Sequence, residues 1–390
     1  MYIVGIDIGK RHHEASIIDG QGNIHGKSLR FANTHTGFNR LLEAARKVAG
    51  EDELVFGMEA TGHYWLALYT HLRQAGYSVH VINAVQSDAL RGMYIRQAKN
   101  DSRDSFIIAE VIRFGRFCET AVSAPDLHAL RELCRHRFWI VDSVSNLKRK
   151  VIALLDQVFP EYEKLFTNTF GKTSLQLLSE YTTPEELLAV DTDKLAQTIY
   201  AASHGHHGLE KAQQIQDAAR NSFGILLVSD SIALLIRQYI EQIRFVETQI
   251  DALDAEIARL LAAFDNQLTT ITGIGPTLAA AILSEIGDIR RFNSPAKLAA
   301  FAGIDPSVKQ SGEFTGTRVH MSKRGSPYLR RAIWLAATVA AFKDPAISLY
   351  YQRKRSEGKS HLTALGHVSR KMVNIIFAVL RDNSPYSPAF

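Results

Sequence analysis

Tyr2-Ile3-Val4-Gly5-Ile6-Asp7-Ile8-Gly9-Lys10 is a run of β-branched and small residues with a carboxylate in its middle. Such a run predicts a β-strand. A charge inside it is costly unless it is paired or bound to a metal, so Asp7 asks for a reason. Working outward, Glu14 to Asp19 reads as a second strand and Lys27 to Phe31 as a shorter third, and turns at Asp19-Gly20 and Gly22-Asn23 predict an antiparallel meander. A helix is expected from about Thr36, read as its N-cap, to a stop at Gly50. Leu54 to Glu59 is the fourth strand, Tyr64 to Gln74 a helix ended by Gly76, and Tyr77 to Ile82 the fifth strand. With a further helix after it, the succession is β-β-β-α-β-α-β-α.

That order is the one expected of a ribonuclease H-type α/β domain, in which the first and fourth strands lie side by side. Asp7 would then meet Glu59, which closes the apolar run Leu54-Val55-Phe56-Gly57-Met58. Asp101 and Asp104 stand three apart, a spacing that puts both on one face of a helix. Four carboxylates converging from two strands and a helix would suit two Mg²⁺ (or Mn²⁺) ions, hard cations that take oxygen ligands. Paired metals of this kind activate an attacking oxygen and stabilise a leaving oxygen in phosphodiester chemistry. Each acid alone is weaker: Asp7-Ile8-Gly9-Lys10 also suits an actin-like phosphate loop, and Asp101 could cap a helix with Asp104 in its first turn.

At 390 residues and 46% hydrophobic, the chain can bury a sizeable core in two or three domains. Cys118 and Cys134 are its only cysteines, too few for a disulfide framework or a four-ligand zinc site. No apolar run of membrane-spanning length occurs, and the first residues lack the form of a signal peptide, so no membrane partner and a reducing cytoplasm are expected. The net charge of +5 says little, but its distribution says more: from Gly303 onward there are 14 Lys/Arg against 5 Asp/Glu. That density suits a polyphosphate backbone, although a solvated basic face has the same look.

Beyond the α/β region, Ile140, Val144, Leu147, Val151, Leu154 and Val158 alternate steps of four and three, and Ile236, Ile243, Ile250, Ile257 and Phe264 recur every seven residues. Both read as coiled-coil seams, able to pair within the chain or with a second subunit. The stretch 160–223 between them is polar, has a helix start at Thr182-Thr183-Pro184-Glu185-Glu186, and carries no defensible chemistry. His204-Gly205-His206-His207 reads as an exposed loop rather than a metal site. Thr272-Gly273-Ile274-Gly275-Pro276 resembles a helix-hairpin-helix element, whose Gly273 and Gly275 could hold a phosphate; a glycine turn between packed helices fits equally well. A loop from Gly303 to Gly325 and helices at Pro327 to Phe342 and His361 to Arg381 complete the chain. The expected organisation is an α/β domain over 1–125, a helical connector over 126–265 with the 160–223 insertion, and a helical domain over 266–390.

These stretches resemble the DEDD transposases of the insertion-sequence-110 family, including its 1111-like branch. The resemblance rests on Val4-Gly5-Ile6-Asp7-Ile8-Gly9-Lys10, Met58-Glu59-Ala60-Thr61-Gly62 and Lys99-Asn100-Asp101-Ser102-Arg103-Asp104. In the second half it rests on Gly273-Ile274-Gly275-Pro276, Phe301-Ala302-Gly303-Ile304-Asp305-Pro306, Gln310-Ser311-Gly312 and Lys323-Arg324-Gly325-Ser326. It implies a RuvC-like N-terminal domain, a coiled-coil connector and a helical transposase domain with a nucleophilic serine. It further implies donor and target DNA as substrates, a structured noncoding bridge RNA as guide, dimers assembling into a tetramer, and a prokaryotic, nucleoid-associated setting.

By that resemblance the nucleophile is Ser311, which sits in a loop of small and polar residues; Ser307 and Ser326 are the local alternatives, the latter looking like an N-cap before Pro327. Arg318, Lys323, Arg324, Arg330 and Arg331 are expected to neutralise phosphates around it, and Arg96, Lys99 and Arg103, with Arg91, to do so beside the acids. A metal-dependent nuclease or junction resolvase with a merely structural Ser311 is the alternative. An actin-fold kinase would need a second phosphate loop and an adenosine loop, and neither is found.

Overall fold

In the computed structural model the described residues are 1–60, 62–91, 101–117, 124–307, 310–311, 314–315 and 320–388. The chain divides into two compact units, Met1–Val122 and Ser123–Phe390.

The first unit is built on strands β1 (Tyr2–Asp7), β2 (His12–Asp19), β3 (Leu29–Ala32), β4 (Leu54–Glu59) and β5 (Ser78–Ile82), in the sheet order β3-β2-β1-β4-β5. β1 runs antiparallel to β2 and parallel to β4, so the first and fourth strands are neighbours as the element order predicts. Its helices are α1 (His35–Ala49), α2 (Trp65–Gln74), α3 (Ala84–Arg91) and α4 (Asp101–Phe114). The cap of α1 is Thr34 rather than Thr36, because Thr34 has extended backbone and its Oγ1 accepts from the Gly37 N–H at 3.1 Å.

Alternation along the strands sorts the side chains to two cores. Val4, Ile6, Leu54, Phe56 and Met58 pack with Leu41, Ala45, Leu68 and Leu72 of α1 and α2. Ile3, Ile18 and Val55 pack on the other face with Ile108, Val111 and Ile112 of α4. Burying side chains of this size stabilises by about 1.5–3 kcal/mol each. On that second face Gly5 and Gly57 sit opposite each other in register. A Cβ on Gly5 would lie 2.2 Å from the Ser105 carbonyl oxygen and 2.4 Å from the Ala109 nitrogen, and one on Gly57 2.6 Å from Ile112. The paired glycines therefore let α4 lie directly on the sheet.

The second unit contains α5 (Pro125–Val158), α6 (Lys172–Glu180), α7 (Pro184–Ala189), α8 (Thr192–Ala202), α9 (Leu209–Arg220) and α10 (Ser229–Leu261). It continues with α11 (Pro276–Ile286), α12 (Pro295–Ala302), the strand pair β6 (Gln310–Ser311) and β7 (Phe314–Thr315), and then α13 (Pro327–Lys343), α14 (Pro345–Ser356) and α15 (His361–Asp382). The two heptad helices α5 and α10 pair within the chain, burying Val144, Val151, Ile236, Ile240 and Ile243. Arg137 holds Asp254 through two bonds of 2.5 and 2.8 Å, and Lys148 reaches Glu247 at 2.9 Å.

The 160–223 stretch folds as the short helices α6 to α9 against that pair, around Leu178, Leu187, Leu195, Ile199 and Ile215. His204-Gly205-His206-His207 is an exposed turn after α8. The α11–α15 helices share a separate core rich in alanine, including Ala332, Ala336, Ala337 and Ala340. Among the described residues no single helix is long and apolar enough to cross a membrane.

Candidate active site

Strand parity decides where the first two acids point. Asp7 follows Ile3 and Gly5 on β1, and Glu59 follows Val55 and Gly57 on β4, so both belong to the face covered by α4. Both strands end there, at the edge where α4 begins. Asp101 and Asp104 occupy the first turn of α4; Asp104 is buried and Asp101 exposed.

The four carboxylates share one electrostatic field. Burial, and then the charges of Asp104, Asp101 and Glu59, push the Asp7 carboxyl up to about 6, against a lowering by a hydrogen bond from the Ile8 backbone. An all-oxygen donor set of this kind would fit a hard divalent ion. Among the described residues, no three His, Cys, Asp or Glu side chains are drawn together as tightly as a bound ion would draw them.

Several supports of this site carry no signal in the sequence. Ser87 of α3, 1% exposed, donates its hydroxyl to Glu59 Oε2 at 2.6 Å. Ser16 of β2 and Ser105 of α4 share a hydrogen bond of 2.7 Å, and both hydroxyls also reach the Ser102 carbonyl. These bonds pin the first turn of α4, and with it both aspartates, to the sheet. Arg103 lies in the same turn, partly exposed. Arg96 and Lys99 lie outside the described residues, as does the side chain of Arg91.

In the second unit, Ser307 N–H donates to the His320 carbonyl at 2.7 Å, Ser322 N–H to the Asp305 carbonyl at 2.8 Å, and Pro306 bridges Met321. Ser311 on β6 stands opposite Phe314 on β7 in an antiparallel pair. Ser311 is described in its backbone alone, and Arg318 lies outside the described residues. Ser326 is a structural cap: its Oγ accepts from the Leu329 N–H at 3.1 Å and donates to Glu285 at 2.7 Å.

The cations around this segment divide by what they touch. Lys323 holds a left-handed φ of 54° and is exposed with Arg324, in a turn seated on Gly303, whose φ is 66°. A Cβ on Gly303 would meet the Arg324 carbonyl oxygen at 2.0 Å, so glycine is required both for the φ and for the approach. Arg330 donates to the Ala302 carbonyl at 3.1 Å, and Arg331 grips Asp142 through two bonds of 2.7 Å. Gly273, at φ 90°, abuts the α13 backbone, with Ala336 O 2.5 Å from where its Cβ would be, which is the packed-turn arrangement. Gly275 instead faces open space at the head of α11.

The strand order and the acidic end of the sheet place the first unit in the ribonuclease H-type class of α/β domains. A transposase profile of the DEDD, IS110 type matches residues 4–160, and a profile of the transposase IS116/IS110/IS902 family matches residues 265–352. The chain belongs to the IS110 family of insertion-sequence transposases, enzymes that act on DNA. It is 27% identical over 389 residues to an uncharacterized 44.8 kDa protein of insertion element IS116 from Streptomyces clavuligerus, covering 99% of this chain and 96% of that one. A 42 kDa protein of insertion element IS900 from Mycobacterium paratuberculosis is 26% identical, with 99% and 97% covered. The pilin gene-inverting protein of Moraxella bovis is 27% identical over half of this chain and 59% of its own length. The Thermus thermophilus RuvC structure matches over 31% of this chain and 100% of its own, at 15% identity and a TM-score of 0.23.

Proposed function

We propose that the chain is a DNA recombinase that cuts and exchanges strands through a composite site. In this reading Asp7, Glu59, Asp101 and Asp104 hold Mg²⁺ or Mn²⁺, and Ser311 supplies the nucleophile. The observation that carries the metal half is the raised Asp7 carboxyl among three further acids at one end of the sheet. Bound divalent ions would lower the energy of the attacking and leaving oxygens of a phosphodiester.

The chain's own residues do the rest. The Ser87 hydroxyl fixes Glu59, and the Ser16–Ser105 bond fixes the aspartate turn, so the acids do not have to be ordered at the moment of reaction. The Ser311 oxygen forms a bond to phosphorus as the bond from phosphorus to a deoxyribose oxygen breaks, storing the strand as a phosphoserine ester. The serine proton leaves to a base, and the departing sugar oxygen gains one. Lys323 and Arg324, exposed beside this segment, suit neighbouring phosphates, and Gly275 leaves the head of α11 open for another. In the second unit Arg330 and Arg331 are proposed to reach phosphates as well, Arg331 on release from Asp142, and in the first unit Arg103 does so beside the acids.

Donor and target DNA are chosen, in this proposal, by a structured bridge RNA, and the enzyme works as dimers joined into a tetramer. The family resemblance supports both points. Exposed apolar side chains on α5 and α10, Trp139 at 65% and Phe245 at 64%, also support a further subunit contact. A resolvase that hydrolyses DNA without a covalent step is the alternative. Sequencing the RNA that co-purifies with the protein from its native expression context separates the two: one defined noncoding transcript supports the guided recombinase, and none contradicts the guide.

A further inference from the structure

On the face of the sheet opposite the acids, a cavity of about 290 Å³ is lined by His13, Phe31, Asn33, His35, Phe38 and His71, among others. His13 follows the Asp7–Glu14 register pair, so the cavity opens at the same end of the sheet as Asp7. Its side chain belongs to the α1–α2 face, with Ala15 and Ile17.

His13 is 2% exposed, and its Nδ1 accepts from the Gly9 N–H at 3.2 Å. An accepting ring nitrogen carries no proton, so the neutral ring has its N–H at Nε2. Burial lowers the proton affinity of the ring and keeps it neutral, against the favourable Asn33 side chain. That Nε2 is sealed from solvent and makes no hydrogen bond of ordinary length among the described residues, with the Asn33 side chain as its polar neighbour.

The walls say what kind of ligand. Phe38 stands 5.6 Å from the His71 ring and 6.2 Å from His35, while Phe31 meets His13 edge-on at 5.2 Å. His71 Nδ1 is bonded to the Ala67 carbonyl at 2.8 Å, which leaves its Nε2 an acceptor. Aromatic walls with an acceptor nitrogen at their rim fit a flat heterocycle. Among the described residues no Lys or Arg lines the cavity, which does not suit a phosphate. The backbone of two exposed basic residues holds its Asn33 wall: Asn33 donates to the Arg11 carbonyl at 2.9 Å and to the Lys10 carbonyl at 3.4 Å.

We propose that this cavity receives an unstacked nucleobase from a single-stranded segment of bound nucleic acid, with Lys10 and Arg11 beside the flanking phosphates. The inference rests on the enzyme's action on DNA and not on the metal or serine chemistry.

The test uses the full-length protein in EDTA, so that cleavage plays no part, with short single-stranded DNA and RNA probes carrying 2-aminopurine. Ala67→Trp fills the cavity from an exposed position on α2, and His71→Ala removes part of its wall, also from an exposed position. Both substitutions should weaken binding roughly tenfold, the scale of one lost base stack. Ala67→Trp should also abolish the 2-aminopurine quenching seen with the unaltered protein. A probe made only of abasic sugar-phosphate should bind all three proteins alike. A larger effect on DNA or on RNA names the source of the base, and an equal effect assigns recognition to the base alone. Unchanged affinity and unchanged quenching in both variants, on both polymers, would overturn the proposal.

Discussion

Asp7 is the residue through which the metal reading can be tested without activity. Its carboxyl, at about 6 in the fold, is raised well above an ordinary aspartate. The folded state therefore binds this proton more tightly than the unfolded one. Stability from this group is fully present below the unfolded value, near 4, and is lost as pH rises through about 6. Metal-free protein should thus melt at a lower temperature at pH 7.5 than at pH 5, and Asp7→Asn should remove that part of the difference and raise the melting temperature at pH 7.5. Added Mg²⁺ should raise the melting temperature of the parent protein above pH 6 and leave Asp7→Asn unmoved; equal shifts in both would put the metal elsewhere. Ser87 acts one step removed, as a positioning residue for Glu59. Ser87→Ala should weaken Mg²⁺ affinity about 10–100-fold, with Ser87→Thr restoring it, as read by calorimetric titration. Asp7 and Glu59 were legible in the sequence because a charge in an apolar strand needs a cause. Ser87 was not, since a serine on a short helix has no distinguishing neighbours.

At the scale of elements, the acidic site depends on how closely α4 lies on the sheet. The glycine pair Gly5 and Gly57 sets that distance, and a methyl at Gly5 meets the backbone of α4 rather than a side chain that can turn away. Gly5→Ala should destabilise the first unit by about 1–3 kcal/mol and reduce Mg²⁺ affinity in the folded fraction, as read by urea unfolding and metal titration. An unaltered midpoint would mean that α4 does not need this contact. Each glycine was visible in the sequence, but their facing one another depends on the register between distant strands. The heptads of α5 and α10 were similarly plain, yet heptads specify a seam and not its owner; the Arg137–Asp254 and Lys148–Glu247 bridges supply the pairing within the chain. The helices of 160–223 are short and polar, so periodicity had little to report there. Gly273 fitted two readings until its neighbour on α13 was known.

At the scale of the whole molecule, the acids lie in the first unit and Ser311 in the second, so the proposed chemistry needs both at one phosphate. Family membership explains why the two halves occur in one chain. The serine separates a recombinase from a nuclease more sharply than any metal experiment. The direct measurement is intact-protein mass spectrometry after incubation with cognate DNA and Mg²⁺, followed by peptide mapping. The expected result is a covalent DNA adduct on the peptide that contains Ser311, absent from Ser311→Ala and from Asp7→Asn while DNA binding by Ser311→Ala persists. Strand cleavage by the parent protein with no adduct, or an adduct that survives Ser311→Ala, would contradict the composite site.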